Sequence, residues 1–139
     1  MIRIFLMNLD EIQPSQLFIN SEKLSLVMKE FSPLKTETLR PIPIKKLGDD
    51  IVSTDGHTRA FAAYLNGLHE VRVFRDEDEM DWEAYQICVE WCKEAGIYTV
   101  ADLKDRVVGE SEYEILWRRP CDLMHKELEA KRRSKDGAI

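Results

Sequence analysis

Five consecutive residues near the middle of the chain have side chains and a spacing suited to anion binding: Asp55, Gly56, His57, Thr58 and Arg59. They lie between a short apolar segment that favours a strand and an apolar segment that favours a helix. The first turn of a helix has unpaired N–H groups and a partial positive charge, and both attract phosphate. Gly56 allows a phosphate close to the backbone, while His57, Thr58 and Arg59 supply further donors. The loop therefore predicts a phosphate or nucleotide site.

The same loop also permits a purely structural interpretation. Asp55 is suited to the N-cap of the helix, Gly56 to a turn, and Arg59 to an ion pair with a nearby carboxylate. If the loop is catalytic, the chemistry is Mg²⁺-dependent phosphoryl transfer or nucleotide hydrolysis. Asp55 and His57 are then the candidate catalytic residues, and Asp55 is the candidate ligand of Mg²⁺. The residues leave these interpretations open.

The hydrophobic pattern predicts the elements that position this loop. Alternating apolar residues and turn residues predict strands over 2–9, 40–47, 51–54 and 71–74. Helical spacing predicts helices over 21–31, 60–65, 82–95 and 99–108, and a last helix from 111 that Pro120 interrupts. Asn66 and Gly67 are expected to end the helix after the loop. The predicted fold class is α+β, with a small mixed sheet and helices over 1–75. An all-helical extension over 76–139 packs on it, with a disordered tail from about residue 133.

Composition limits the class of protein. The chain has 139 residues, of which 44% are apolar and 33% charged, as expected for one folded domain. Its apolar runs are far shorter than the ~20 residues of a membrane span, and its opening lacks the pattern of a secretory signal. Three cysteines, an odd number, favour free thiols in a reducing compartment. We therefore expect a cytoplasmic protein without a membrane segment.

The charge distribution argues against non-specific DNA binding. The formal net charge is −6. Residues 1–75 contain ten Lys and Arg against nine Asp and Glu, whereas residues 76–139 contain ten against seventeen. A protein that binds nucleic acid by neutralising phosphates needs a basic face, and only a short tail around 131–135 is basic.

Cysteine and histidine residues in the extension have a spacing that permits a metal site. Cys88 and Cys92 lie one helical turn apart, as do Cys121 and His125, so two facing helices could present four zinc ligands. However, Cys88 and Cys92 also lie on an apolar stripe, where free cysteines are common. The alternatives are a zinc site and buried core thiols, and we expect no bound zinc.

Residues 4–75 resemble the N-terminal domain of the ParB/sulfiredoxin superfamily. The segments that carry the resemblance are 12–15 (Ile-Gln-Pro-Ser), 41–44 (Pro-Ile-Pro-Ile), 51–54, 55–60 (Asp-Gly-His-Thr-Arg-Ala), 66–67 (Asn-Gly) and 71–73 (Val-Arg-Val). The most similar motif in that superfamily is the Asp-Gly-His-His-Arg of the free-serine kinases. The resemblance implies that residues 56–59 open a helix and hold nucleotide phosphates, and that Asp55 acts with Mg²⁺. Pro14 and Ser15 are expected to form the opposite wall of the cleft.

The resemblance implies a pocket more strongly than a reaction. The serine kinases carry a glutamate just after the early proline, where this chain has Ser15 and Gln16, and neither is a general base at neutral pH. The favoured function is binding of a nucleotide, such as ATP, ADP or CTP, or of a phosphorylated small molecule. The alternatives are a DNA-associated ParB-like regulator or nuclease, and a small-molecule phosphotransferase. A protein partner or a homodimer is a further open interpretation.

Overall fold

The computed structural model describes residues 2–137 and has the predicted α+β architecture. The strands are β1 Ile4–Asn8, β2 Ile19–Asn20, β3 Ile42–Leu47, β4 Asp50–Ser53, β5 Glu70–Arg75 and β6 Val107–Val108. The α-helices are α1 Ser21–Glu30, α2 His57–Leu65, α3 Trp82–Glu94, α4 Glu110–Tyr113 and α5 Arg119–Gly137, with a π-helical segment Glu114–Arg118 before α5. Short 3₁₀ turns are Leu9–Glu11, Thr36–Thr38 and Val100–Leu103. Within residues 2–137, no helix combines the length and apolar composition that a membrane crossing requires.

Four strands form the mixed sheet that carries the loop. Their order is β1-β5-β3-β4, with β5 antiparallel to β1 and parallel to β3, and β3 antiparallel to β4. Ile42 on β3 lies opposite Val73 on β5, and both are fully buried. These side chains meet Phe61 and Ala63 of α2 in the main hydrophobic core. The sheet thereby fixes the start of α2 next to the carboxyl end of β4.

Helix α2 begins at His57, within residues 55–59 and three residues before the predicted start at residue 60, and it ends where the sequence predicts. Its C-terminal end is closed by Gly67, which has a positive φ of 77°. The Gly67 N–H donates to the carbonyl of Tyr64, and the Leu68 N–H donates to the carbonyl of Ala63. This is the Schellman arrangement that Gly favours after a helix, so the predicted end at Asn66 and Gly67 is confirmed.

The main core extends across the predicted boundary at residue 75. Cys92, Ile97, Val100 and Leu103 of the extension are buried in it together with strand and α2 residues. The extension therefore supplies part of the core on which it was expected to pack.

Strand β6 corrects two expectations for the extension. It pairs in parallel with β2, so the extension is not entirely helical, and the predicted helix over 99–108 is wrong. Thr99 and Asp102 do form a capping box, but the box opens only the 3₁₀ turn. The reason is tertiary: the Ile19 N–H donates to the Arg106 carbonyl at 3.0 Å, which draws this segment into an extended conformation.

Helices α3 and α5 form a second, smaller cluster. Its buried members are Ala84, Cys88, Met124 and Leu128. Helix α5 continues to Gly137 and so passes residue 133, from which the sequence predicted a disordered tail. Arg132 donates to Asp81 and Glu83 on the α3 side, and these bonds hold the last turns of α5 in place. Residues 138 and 139, at the end of that predicted tail, lie outside the described residues.

Candidate functional site

The loop between β4 and α2 leaves the start of the helix open. Gly56 is the N-cap residue, in the left-handed conformation with φ 75° and ψ 20°, and no side chain caps the first turn of α2 among the described residues. Asp55 is exposed, and its Oδ1 accepts a hydrogen bond of 2.7 Å from the Gly56 N–H. Asp55 therefore folds onto the residue that follows it and does not cap the helix. The first-turn N–H groups stay free to meet an anion.

The Arg59 side chain folds back over Gly56. A Cβ atom on Gly56 would lie 2.7 Å from Arg59 Nη2, so only glycine leaves room for the guanidinium there. Arg59 Nη1 donates to the Pro41 carbonyl at 3.3 Å. This contact and the packing against Gly56 hold the planar donor group beside the open helix start.

Arg59 has no carboxylate partner at ion-pair distance. Neither Arg59 nor Arg40 belongs to any of the ion pairs formed within residues 2–137. Burial and the neighbouring charge of Arg40 lower the pKa of Arg59, while Asp55 opposes this decrease. A second positive group near a partly desolvated guanidinium is unfavourable without an anion between them. The predicted alternative of an Arg59 ion pair is therefore not what the structure shows.

These groups line a cleft of about 350 Å³, here called the basic cleft. Its cations are Lys23, Arg40 and Arg59, and its acidic side chains are Glu30 and Asp55. The remaining lining residues that carry polar groups are Gln16, Gly56, His57, Thr58 and Tyr113. The cleft therefore combines three cationic side chains with the uncapped start of helix α2.

The buried His57 ring is held through its Nε2 atom. The Ser15 backbone N–H donates to Nε2 at 3.0 Å, and Ser53 Oγ lies 3.0 Å from the same nitrogen. A backbone N–H can only donate, so Nε2 carries the lone pair and the ring proton is on Nδ1. Burial lowers the pKa of His57 from 6.5 to about 4. The neutral ring joins Ser15 to the start of α2, and in this arrangement Nε2 is not free to contact a ligand.

Pro14 and Ser15 lie behind His57 and do not line the basic cleft. Both are buried, and Ser15 Oγ donates to the Ser53 carbonyl at 2.8 Å. The neighbouring Gln16 lines the cleft instead. Of the residues that the sequence predicted for the site, Asp55, Gly56, His57, Thr58 and Arg59 thus line one cleft, while Pro14 and Ser15 lie behind it.

A second cleft of about 420 Å³ lies on the other side of His57 and is here called the thiol cleft. It is bordered by α3 and α5, and its lining includes Tyr85, Cys88, Trp117, Cys121, Met124 and His125. Cys92 points into the main core instead. Within residues 2–137 no three metal-binding side chains come together, so the four candidate zinc ligands are divided between two places.

Sequence reasoning missed Lys23, Arg40 and Gln16. Lys23 lies in the first turn of α1 and Arg40 precedes β3, far from the loop along the chain. No local spacing relates them to residues 55–59. The packing of α1 beside α2 brings Lys23 to the cleft, and Gln16 and Arg40 reach it from the segments before β2 and β3. The sequence shows only that basic residues occur before the loop. Their presence does not distinguish residues that line the cleft from exposed lysines.

Comparison with known proteins identifies no family. No protein-family model and no curated protein matches the chain. Among solved structures, it is similar to protein Atu1540 from Agrobacterium tumefaciens, with 16% sequence identity and a TM-score of 0.45. The match covers 70% of this chain and 50% of that one, so this chain spans about half the length of that neighbour. This similarity assigns neither an activity nor a ligand.

Proposed function

We propose that the basic cleft binds the phosphate groups of a nucleotide or of a phosphorylated small molecule. The observation that carries the proposal is the position of Arg59, which is held over Gly56 without a carboxylate partner at the uncapped start of α2. A planar guanidinium and backbone N–H groups together match several oxygens of one phosphate.

The charges that line the cleft support a ligand with more than one phosphate. Lys23 and Arg40 line the same cleft as Arg59, so the cleft has cations for a second phosphate as well. Its volume of about 350 Å³ is within the range of small-molecule sites, which begins at about 300 Å³. ATP, ADP and CTP are the ligands to test first.

A second cleft with arginines is less suited to an anion. It has a volume of about 430 Å³ and is lined by Arg3 and Arg75, but also by the carboxylates of Asp76, Glu77 and Asp78. Both arginines lie over the Phe5 ring, 5.9 Å from its centre. The charge balance there is negative, which favours the basic cleft as the phosphate site.

Asp55 is the residue that would contact Mg²⁺. A carboxylate beside a phosphate repels it by about 1 to 4 kcal/mol at ~4 Å unless a cation lies between them. The described residues offer no group of three metal ligands, so the protein fits an Mg²⁺ ion that arrives with the phosphates and keeps water ligands. When bound, Mg²⁺ would neutralise phosphate charge, while Arg59 and the helix start orient the phosphates.

The arginines of the extension favour a small ligand over DNA. Arg118 pairs with Glu110 and Glu114, and Arg132 pairs with Asp81 and Glu83. Two of the arginines that a basic surface would need are therefore neutralised by neighbouring carboxylates. The free thiols agree with a reducing compartment, and we assign the protein to the cytoplasm.

Calorimetric titration with ATP, ADP, CTP and pyrophosphate, with and without Mg²⁺, tests the proposal. We expect binding by the wild type and at least a tenfold loss of affinity in Arg59→Ala, because a charge-assisted hydrogen bond contributes about 1.5–3 kcal/mol. Lys46→Ala removes the same charge from an exposed position on β3 and should bind as the wild type does. Asp55→Asn keeps an oxygen for the Gly56 N–H and should lose only the Mg²⁺-dependent part of the affinity.

Two results would reject this assignment. One is that none of the tested ligands binds at millimolar concentration. The other is equal binding by wild type and Arg59→Ala, which would place the ligand elsewhere. Equal or tighter binding by Asp55→Asn in Mg²⁺ would leave the phosphate site intact and remove Asp55 as a metal contact.

A further inference from the structure

The seam between α3 and α5 has a register that places two thiols opposite one another. Arg132 donates to Asp81 at one end of the seam. At the other end, the rings of Trp91 and Trp117 pack edge to face with centres 6.2 Å apart. The helices therefore run antiparallel.

Cys88 and Cys121 lie between these two contacts. Cys88 is one turn before Trp91, and Cys121 is one turn after Trp117. Cys88 is buried in the cluster with Ala84, Met124 and Leu128, which fixes the face of each helix. Contacts on both sides thus place the two cysteines opposite each other across the seam.

The chemical environment of the pair favours nucleophilic attack by Cys88. The neighbouring Cys121 side chain lowers the pKa of Cys88, while burial partly opposes this decrease. The same contact raises the pKa of Cys121. A thiol whose anion is stabilised by a neighbouring donor is the one that attacks a disulfide. Both residues line the thiol cleft, together with Tyr85 and His125.

We propose that Cys88 and Cys121 are a redox-active dithiol that reacts with small disulfides such as oxidised glutathione. The Cys88 thiolate attacks one sulfur of the small disulfide, which forms a mixed disulfide and releases the first thiolate. Cys121 then transfers its proton to the departing group and attacks the Cys88 sulfur, which releases the second small thiol. Two electrons pass from the protein to the small disulfide, and one intramolecular disulfide joins α3 to α5.

The third cysteine provides an internal comparison. Cys92 is on the same helix as Cys88, one turn further along, but it is completely buried in the main core. Burial raises the pKa of Cys92 to about 12. A reaction that depends on the cleft should therefore leave Cys92 reduced. The dithiol proposal does not depend on the phosphate ligand proposed above.

Mass spectrometry of the folded full chain after incubation with oxidised glutathione tests the proposal. We expect two of the three thiols to disappear, a peptide pair linked through Cys88 and Cys121, and full reversal by dithiothreitol. Cys121→Ser should accumulate a glutathione adduct on Cys88, because the second step is then blocked. Cys92→Ser is the matched control and should form the same disulfide as the wild type. Parallel oxidation in urea, in which the three cysteines react without selection, serves to show that the folded state directs the pairing.

Several outcomes overturn the inference. Three free thiols in the folded protein, a disulfide that includes Cys92, or disulfides only between chains would each contradict it. A Cys121→Ser variant with no adduct on Cys88 would also contradict it, because attack by Cys88 is the first step.

Discussion

Gly56 and Arg59 depend on each other at the start of α2. Replacing Gly56 by Ala would strain the backbone, since its φ is 75°, and would place a Cβ 2.7 Å from Arg59 Nη2. Gly67, at the other end of the same helix, has a φ of 77°, but a Cβ atom added there would have no atom within 4 Å. We expect Gly67→Ala to lose about 1–2 kcal/mol of stability from the backbone alone. Gly56→Ala should lose a similar amount, because the end of the Arg59 side chain can move away, but that movement should weaken binding of phosphate ligands at least tenfold.

Urea unfolding and nucleotide titration of the two glycine variants measure this difference. Equal affinities in Gly56→Ala and Gly67→Ala would mean that the position of the guanidinium over Gly56 is irrelevant to the site.

His57 makes the stability of the fold depend on pH. Its pKa is about 4 in the folded chain and about 6.5 in the unfolded chain, so between these values only the unfolded chain binds the proton. The free energy of unfolding is therefore at its full value above pH 6.5 and falls as the pH falls towards 4. The total loss from this group is roughly 3 kcal/mol. Urea midpoints measured from pH 7 to pH 4.5 should show it.

A variant without the imidazole provides the control for that pH dependence. His57→Gln should be less stable at pH 7 but should lack this part of the slope. The exposed His69 is a matched histidine, and His69→Gln should retain the wild-type slope. The same slope in wild type and His57→Gln would show that carboxylates alone produce the acid sensitivity.

The loop could be predicted from its own residues, but the residues from distant segments that position it could not. The order strand, Gly, helix start and Arg was sufficient to predict that residues 55–59 form one site. The position of Arg40 and the bond from Ser15 to His57 depend on contacts between segments that are far apart in sequence. Such contacts leave no periodic signal, so reasoning from one sequence could not find them.

At the scale of elements, Asn20 connects α1 to α4. Its side chain accepts from the N–H groups of Glu22 and Lys23, which caps α1, and it donates to Glu110 in the first turn of α4. The residue is almost completely buried. We expect Asn20→Ala to lose about 1–2 kcal/mol, because both functions are removed.

Charge distinguishes the two functions of Asn20. Asn20→Asp keeps the acceptor for the α1 cap but places a carboxylate against Glu110, so we expect a loss of stability at pH 7. In the Glu110→Gln background the same change should be neutral or stabilising, as expected for an acidic N-cap. Thermal melts of the four proteins form a double-mutant cycle, and additive effects would contradict the proposed contact.

The long elements followed from periodicity, whereas the short ones did not. Apolar spacing and caps placed α1, α2, α3 and the four sheet strands within a few residues. The pair β2 and β6 has only two residues on each strand, too few for a period to appear. Pro120 was expected to interrupt the last helix. The interruption is confirmed, because the π-helical segment lies directly before Pro120 and the regular α-helix restarts at Arg119. The wider turn accommodates a residue that cannot donate a backbone hydrogen bond.

At the scale of the whole molecule, residues 1–75 are not an independent unit. Ile97, Val100 and Leu103 are buried in the main core at 5% exposure or less, and their removal would expose Phe61 and the face of the sheet. We expect a fragment that ends at residue 75 to show no cooperative unfolding transition by circular dichroism. A fragment that ends at residue 109 keeps β6 and the main core, and it should unfold cooperatively at a lower temperature than the full chain.

One outcome of the fragment comparison would contradict the dependence of residues 1–75 on the extension. If residues 1–75 unfold cooperatively with a midpoint near that of the longer fragment, the contribution of residues 92–103 to the core is dispensable.

The shared core also has a consequence for biosynthesis. The ribosome releases β5 before the segment around Leu103, and the 28 residues between 75 and 103 take roughly 1 to 6 seconds to translate. During that interval the nascent chain holds a sheet and a helix that lack the part of the core supplied by Cys92, Ile97, Val100 and Leu103. The core of this protein is therefore completed only after its second half has been synthesised. The rate of translation between residues 75 and 103 determines how long the incomplete core is exposed to chaperones and to other nascent chains.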